Sequence, residues 1–148
     1  MKKLRARVTA AAITLGAIAA AGCNYEEAIS EDQVWLVRTA PADEAIVYAM
    51  APARGTVAIG GGCVRLNRDD GSSVALVYPY DYDVTRQSGK LGVQDGNGRL
   101  LYSVGQHVKI GGSVLPEEPT ERMVPAEDQR NCKGPYFLVM PEPNTPSQ

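Results

Sequence analysis

Apolar and polar residues alternate along much of the chain after residue 55, and this alternation predicts a domain built mainly of β-strands. The pattern is clearest in "HVKI", where Val108 and Ile110 are predicted to face inward. His107 and Lys109 hold the intervening positions and are predicted to face solvent. Other apolar runs are bounded by glycine, proline or aspartate, as strands usually are. The predicted strands cover residues 56–67, 74–80, 107–112 and 135–141, with a hairpin over 90–104.

Three consecutive glycines interrupt the first predicted strand, "TVAIGGGCVRLN". Val57 and Ile59 precede the glycines at odd-numbered positions, whereas Val64 and Leu66 follow them at even-numbered positions. A strand with one buried face cannot change parity without an extra residue, so we expect the glycines to form a bulge inside one coiled strand. A phosphate-binding loop is the alternative, but it requires a lysine and a following helix that this segment lacks.

Two segments rich in aspartate and glycine predict turns. "RDDGSS" (68–73) is expected to turn at Asp70-Gly71, and "DGNG" (95–98) is expected to form the tip of the hairpin. A calcium-binding loop is the alternative at the second turn. It requires an oxygen ligand where Arg99 stands and a closing glutamate that the sequence does not provide.

A long surface loop is predicted between this hairpin and the last strand. Residues 115–132 contain three prolines and seven charged side chains, and "PTERM" or "PAEDQ" within them is expected to begin a short helical turn. Cys132 ends the loop, and we expect it to form a disulfide with Cys63. This disulfide would close a loop of 69 residues between the two cysteines. Closing a loop of that size stabilises a fold by about 4 kcal/mol in the chain-entropy model. A metal site or a redox pair is the alternative, but neither cysteine belongs to a CxxC motif, and His107 is distant in sequence from both.

The N-terminus has the pattern of a secretory signal peptide. Residues 8–21 form an apolar run of 14 residues, seven of them alanine, which is shorter than the ~20 residues of a membrane-spanning helix. No acidic residue occurs among residues 1–22, and a buried N-terminal helix is the alternative that this basic segment disfavours. The basic residues before the run are Lys2, Lys3, Arg5 and Arg7.

The end of this segment, Ala20-Ala21-Gly22-Cys23, resembles the lipobox of bacterial lipoproteins, although Ala20 stands where leucine is commonest. The resemblance implies that the Cys23 thiol carries a diacylglycerol group and that the chain is cut before it. Two or more acyl chains then hold a protein stably at a membrane. The implied location is the cell membrane or the outer membrane, facing the periplasm or the exterior, and Asn24 is compatible with outer-membrane sorting. An ordinary signal peptide cleaved near this position is the alternative.

Composition agrees with an exported domain that does not bind nucleic acid. Removal of residues 1–22 from the 148-residue chain leaves 126 residues with 11 basic and 17 acidic side chains, a formal net charge of −6. Such a charge disfavours contact with a phosphate backbone. The predicted organisation is a signal peptide at 1–22, a tether and extension at 23–52, a β-barrel domain at 53–141 and a disordered tail at 142–148.

The order of strands and glycines in residues 54–140 resembles an OB-fold. The likeness rests on "LYSVGQHVKIGGSV" (101–114), in which a glycine precedes an alternating strand and another follows it, and on a long first strand with glycines midway. It implies a small barrel of five or six strands with one long disulfide-tied loop, and no particular activity. The whole chain also resembles small bacterial lipoproteins of uncharacterised function.

Four aromatic residues are candidate partner contacts. Tyr78, Tyr80 and Tyr82 alternate in "VYPYDYDV", so an extended chain would present them on one face for a sugar or a peptide. The alternative is that Pro79 ends the strand and breaks this ladder. Trp35 belongs to the apolar island "VWLV" and either packs on the domain or contacts a partner.

The sequence favours a non-enzymatic module that binds an envelope protein, a peptide or a glycan. No catalytic residue, metal site or cofactor is expected, because His107 is predicted to be solvated and the paired carboxylates lie in turns. A small-ligand binder predicts an apolar cavity lined by alternate strand residues. An envelope hydrolase, the least favoured alternative, predicts that His107 and a carboxylate converge in a cleft.

Overall fold

The computed structural model describes residues 29–41 and 50–140, and ten strands in these two ranges form two sheets. The prediction of a mainly β domain is therefore confirmed. The signal peptide, Cys23 and the tail at 142–148 lie outside the described residues. The strands are β1 (Val37–Arg38), β2 (Ala53–Gly60), β3 (Cys63–Arg68), β4 (Ser73–Tyr78), β5 (Asp83–Gln87), β6 (Lys90–Gln94), β7 (Leu100–Ser103), β8 (His107–Ile110), β9 (Gly112–Val114) and β10 (Tyr136–Val139). A 3-10 helix (Glu31–Gln33) precedes β1, and the helix α1 (Ala126–Asn131) precedes β10.

The larger sheet has the order β8-β2-β3-β4-β10-β9, with β1 also paired to β4. The smaller sheet is the meander β5-β6-β7. The described path begins at β8 and ends at β9, and these two strands follow each other in the chain with only Gly111 between them. The predicted small barrel, closed or partly closed, is not confirmed. The predicted strand at 107–112 is divided into β8, which pairs with β2, and β9, which pairs with β10.

The glycine run forms a hairpin turn, so the prediction of one bulged strand is wrong. Gly61 and Gly62 have φ values of 61° and 78°, which turn the chain back on itself between β2 and β3. Val57 lies opposite Leu66 in this antiparallel pair. Residues directly opposite each other point to the same face. The change of parity therefore reflects two strands that share one buried face, with no bulge between them.

The larger sheet is the middle layer of the molecule. One of its faces packs against the smaller sheet around a first apolar cluster that includes Leu66, Leu76 and Val93. Its opposite face packs against the 115–132 loop around a second cluster that includes Val77 and Val124. Strands β4 and β10 supply residues to both clusters and are buried along nearly their whole length.

The disulfide and the long loop are confirmed. Cys63 and Cys132 are bonded, and the bond fastens the end of the loop to the start of β3. The helix α1 begins in "PAEDQ", one of the two expected places. The predicted turns at 68–73 and 95–98 are also confirmed.

Strand β1 occupies a gap between β3 and β4. The Trp35 N–H donates to the Gly62 carbonyl oxygen at 2.7 Å, and the Val64 N–H donates to the Trp35 carbonyl oxygen at 3.3 Å. Val37 then pairs in parallel with Val77 of β4. Part of the segment expected as a tether and extension therefore contributes a strand to the larger sheet.

Candidate functional site

A cleft opens between β7 and β8, where the two sheets separate. The chain turns between these strands at residues 103–106, where the Gln106 N–H donates to the Ser103 carbonyl oxygen at 3.1 Å. Beyond the turn, β7 pairs with β6 in the smaller sheet and β8 pairs with β2 in the larger one. Because the two strands join different sheets, they leave a cavity of about 440 Å³ between them.

The cleft combines apolar walls with basic side chains. Tyr82 and Tyr102 line it and belong to the first apolar cluster. Leu101 and Val108 line it and are only partly buried, so apolar surface inside the cleft reaches solvent. The exposed side chains on its lining that carry or can acquire a positive charge are Arg99, His107 and Lys109.

Two of these three side chains have carboxylate partners. The Arg99 guanidinium donates to Asp95 at 3.1 Å, and the Arg99 backbone N–H is the main cause that lowers the pKa of the Asp95 carboxyl. The His107 Nε2 atom lies 2.9 Å from the Asp69 Oδ1 atom, with both side chains largely exposed. Among the described residues no carboxylate forms an ion pair with Lys109. Within the described ranges, the Lys109 ammonium is therefore a cation of the cleft without a paired carboxylate.

The tyrosine segment does not form a ladder on one face. Pro79 ends β4, so the structure corresponds to the alternative in which the proline breaks the ladder. Tyr78 is fully buried and Tyr82 nearly so, whereas Tyr80 is 57% exposed in the turn between the sheets. Tyr80 thus remains a candidate contact residue, and Tyr78 has no surface with which to contact a partner.

A buried tyrosine cluster contributes Tyr82 and Tyr102 to the wall of the cleft. The Tyr102 hydroxyl donates to the Tyr78 hydroxyl at 2.8 Å, and the rings of Tyr78 and Tyr82 stack with their centroids 5.9 Å apart. Burial raises the pKa of both Tyr78 and Tyr102 above that of an exposed phenol. These phenols are therefore neutral at physiological pH and act as part of the core.

Trp35 packs on the domain through its indole N–H. This group donates to the Asp128 Oδ1 atom at 2.8 Å, and the Arg38 backbone N–H donates to the Asp128 Oδ2 atom at 3.1 Å. The carboxylate of α1 thereby joins the outer layer to β1. The Trp35 side chain stays 36% exposed, so it keeps some surface for a partner.

The described residues do not assemble a catalytic or metal centre. His107 and Asp69 lie within hydrogen-bond distance of each other, although Asp69 does not line the cleft. No described hydroxyl or thiol is hydrogen-bonded to His107, as nucleophilic catalysis would require. Nor do the described residues bring three or more potential metal ligands together. Within the same ranges, no helix is both long enough and apolar enough to span a bilayer.

Sequence reasoning identified several lining residues without identifying the cleft. The alternation of β8 correctly placed Val108 and Ile110 inward and His107 and Lys109 outward. The cleft exists because β7 and β8 pair with different strands, and neither pairing has a local signature in the sequence. Comparison of the chain with protein-family models, with curated proteins and with solved structures found no match in any of the three.

Proposed function

We propose that this protein is a lipid-anchored, extracytoplasmic binding module without catalytic activity, and that its ligand occupies the cleft between β7 and β8. The anchor is supported by the basic and apolar pattern of residues 1–22 and by the lipobox-like sequence that ends at Cys23. The ligand is a partner protein, a peptide or a glycan of the envelope, with a small molecule as the alternative.

The observation that carries the binding proposal is apolar surface open to solvent inside a concave site with exposed cations. Ligand pockets typically occupy roughly 300–1,000 Å³ and combine apolar walls with a few polar groups. The cleft has this volume and this composition. A ligand that covers the partly exposed side chains of Leu101 and Val108 removes their apolar surface from water, which favours binding, and Lys109 attracts an acidic group.

An envelope hydrolase has less support. The His107–Asp69 pair lies in solvent, where water screens its interactions, and it lacks a neighbouring nucleophile among the described residues.

A dye-binding experiment tests the site. Anilinonaphthalene sulfonate carries an apolar ring system and a negative charge, so we expect its fluorescence to rise when it enters the cleft. Val108→Trp fills the cleft and is expected to abolish that rise, whereas Val114→Trp, on the exposed edge strand β9, is expected to leave it unchanged. Equal dye binding by Val108→Trp and the parent protein would show that the cleft is not the site.

Intact-mass spectrometry of protein taken from its host's membranes tests the anchor. We expect a chain that begins at Cys23 and carries added acyl groups. A soluble chain without added mass at Cys23 would refute this part of the proposal.

A further inference from the structure

We propose that residues 141–144 of this chain continue β10 along β8 and lie in the cleft, where a ligand must displace them. Eight residues, 141–148, follow Met140 and lie outside the described ranges. The added strand goes beyond the proposed function, and only its effect on ligand binding rests on that function. Its support comes from the register of β10, the direction of β8, the positions of the prolines and the charge of the cleft.

Strand β10 ends against the cleft. Its last residue, Val139, and the following Met140 both line the cavity. The Met140 N–H donates at 3.0 Å to the carbonyl oxygen of Gly111, the residue that joins β8 to β9. The pairing of β10 therefore extends past β9 to the end of β8, and the residues after Met140 begin beside that strand.

Part of the β8 backbone faces the side on which β10 ends. The Val57 N–H donates to the Gln106 carbonyl oxygen, in the register that pairs β8 with β2. Hydrogen-bonded positions alternate along an antiparallel pair, so the even-numbered residues of β8 bond to β2. The odd-numbered positions face the other way, as the bond at Gly111 shows. His107 and Lys109 therefore present their backbone N–H and carbonyl groups to a continuation of β10.

The register of β10 assigns a partner to each residue of β8. Each step forward along β10 is one step back along β9. Continued over the four residues of β8, this register pairs residues 141–144 with residues 110–107, in that order. Glu142 then lies opposite Lys109. The even-numbered residues of the added strand direct their backbone N–H groups at β8, as Met140 does at the joining glycine.

Two prolines occupy positions at which a missing N–H removes no ladder bond. Pro141 and Pro143 have odd numbers. The odd-numbered residues of β10 direct their backbone groups at β4, since the Ala75 N–H donates to the Pro135 carbonyl oxygen. Strand β4 ends at Tyr78, opposite the end of β10, so it does not continue beside residues 141 and 143. Proline also favours an extended conformation in the residue before it, which suits a strand.

The two prolines also suit the apolar face of β8. Residues directly opposite each other point to the same face of a sheet. Ile110 is buried in the first apolar cluster, and Val108 packs against that cluster and is only partly buried. Pro141 and Pro143 lie opposite these two residues in the continued register and cover their face.

Charge agrees with the same register. Lys109 has no ion-pair partner among the described residues, and it lies opposite Glu142, the only acidic residue after β10 in the sequence. Asn144, which is neutral, lies opposite His107, whose ring already contacts Asp69. Opposite charges directly across a pair of strands stabilise the pairing.

The added strand is short, so a ligand can displace it. Composition alone predicts disorder for residues 142–148, because proline and polar side chains bury little apolar surface. The register gives residues 142–144 a partner that composition does not reveal. Residues 145–148 extend beyond the start of β8 and receive no partner from it.

Amide hydrogen exchange of the full chain tests the strand. The Glu142 and Asn144 N–H groups are expected to exchange at least about tenfold more slowly than in a free peptide of residues 138–148, because each donates to β8. The α-protons of Pro143 and Val108 are expected to show a nuclear Overhauser contact, since the Cα atoms of such a pair lie about 4.5 Å apart. Exchange of both amides at the peptide rate would overturn the proposal.

An exchange of charges tests the register. Glu142→Lys places like charges opposite each other and is expected to speed amide exchange at Asn144 about fivefold. Addition of Lys109→Glu restores an opposite pair and is expected to restore slow exchange. The control is Glu117→Lys, which makes the same change in net charge at an exposed position of the 115–132 loop and is expected to have no effect. Fast exchange in the charge-exchanged protein would contradict the pairing of residues 142 and 109.

Two proline variants test the effect on the cleft without a change of charge. Asn144→Pro removes an N–H that faces β8, so it is expected to raise the affinity for anilinonaphthalene sulfonate about fivefold. Thr145→Pro makes the same change one residue later, where the N–H faces away from β8, and is expected to keep the parent affinity. Equal affinities of the two variants would overturn the effect of the strand on the cleft.

Failure of this inference and failure of the proposed function give different results. If both amides exchange at the peptide rate while Val108→Trp still blocks dye binding, the cleft remains a binding site and the strand is refuted. If the amides are protected while Val108→Trp leaves dye binding unchanged, the strand is supported and the proposed site is refuted.

Discussion

Tyr78 and Tyr102 share a hydrogen bond inside the first apolar cluster. The Tyr78 side chain has no exposed surface, whereas Tyr102 is 8% exposed at the wall of the cleft. A buried hydroxyl that loses its partner costs about 1–3 kcal/mol, while the simultaneous removal of both hydroxyls costs much less. The pair is therefore a specific polar contact inside an otherwise apolar layer.

We expect Tyr102→Phe to lower the free energy of unfolding by about 1–3 kcal/mol, because it leaves the Tyr78 hydroxyl buried without its donor. Tyr78→Phe is expected to cost less, since Tyr102 keeps some exposed surface at the wall of the cleft, whereas Tyr78 has none. The double variant is expected to lose less than the sum of the two single variants. Urea unfolding of the four proteins measures this coupling, and strictly additive losses would contradict it.

The same pair has a signature in alkaline solution. Burial raises the pKa of both phenols above the ordinary value of 10.0. A raised pKa means that the folded state holds the proton more tightly than the unfolded state. The stabilisation that these two protonated phenols give the folded state is therefore complete below about pH 10 and is lost as the pH rises above it. The double variant is expected to lose less stability than the parent protein over this range.

At the scale of single elements, the turn between β2 and β3 depends on glycine. Gly61 has a φ of 61° with no other atom within 4 Å of a β-carbon placed there, so a side chain would meet strain without meeting a clash. We expect Gly61→Ala to lower the free energy of unfolding by about 1–2 kcal/mol and Gly61→Asn to cost less, because asparagine tolerates this conformation. Thermal or urea unfolding measures both.

Gly111→Ala provides the control for this prediction. Gly111 lacks a positive φ, and an added β-carbon would meet only the end of the Met50 side chain at 3.8 Å. We expect its stability to stay near that of the parent protein. If Gly61→Ala were as stable as Gly111→Ala, the turn would not require a left-handed residue.

This turn also shows what the sequence can and cannot predict at the level of elements. The parity change between Ile59 and Val64 was visible, but a bulge and a two-residue hairpin both account for it. Only the pairing partner distinguishes the two, and partners are set by contacts that are distant in sequence. The hairpin at Ser88-Gly89 was missed for a different reason: β5 is short and mostly polar, so it lacks the apolar alternation of a half-buried strand.

For the molecule as a whole, local patterns identified the strands and not their arrangement. The alternation of "HVKI" and the turn at 95–98 were predictable because each depends on neighbouring residues. The three layers, the wedge of β1 between β3 and β4, and the cleft all depend on which strands pair. The disulfide was predictable because two cysteines remain once Cys23 is assigned to the lipid, and a count needs no knowledge of topology.

The disulfide joins the middle layer to the outer one, and its removal tests how the layers depend on each other. We expect Cys63→Ala combined with Cys132→Ala to lower the free energy of unfolding by up to about 4 kcal/mol, because 69 residues separate the two positions. The loss is expected to concentrate in the outer layer, which otherwise depends on the second apolar cluster and on the bonds of Asp128. Hydrogen exchange should therefore accelerate in 115–132 more than in β6 and β7, which pack on the opposite face of the larger sheet.

Reduction of the parent protein, followed by alkylation, should reproduce this pattern without any substitution. Equal acceleration in both outer layers would mean that the molecule opens as one unit, and that the disulfide stabilises the whole fold with no preference for the loop.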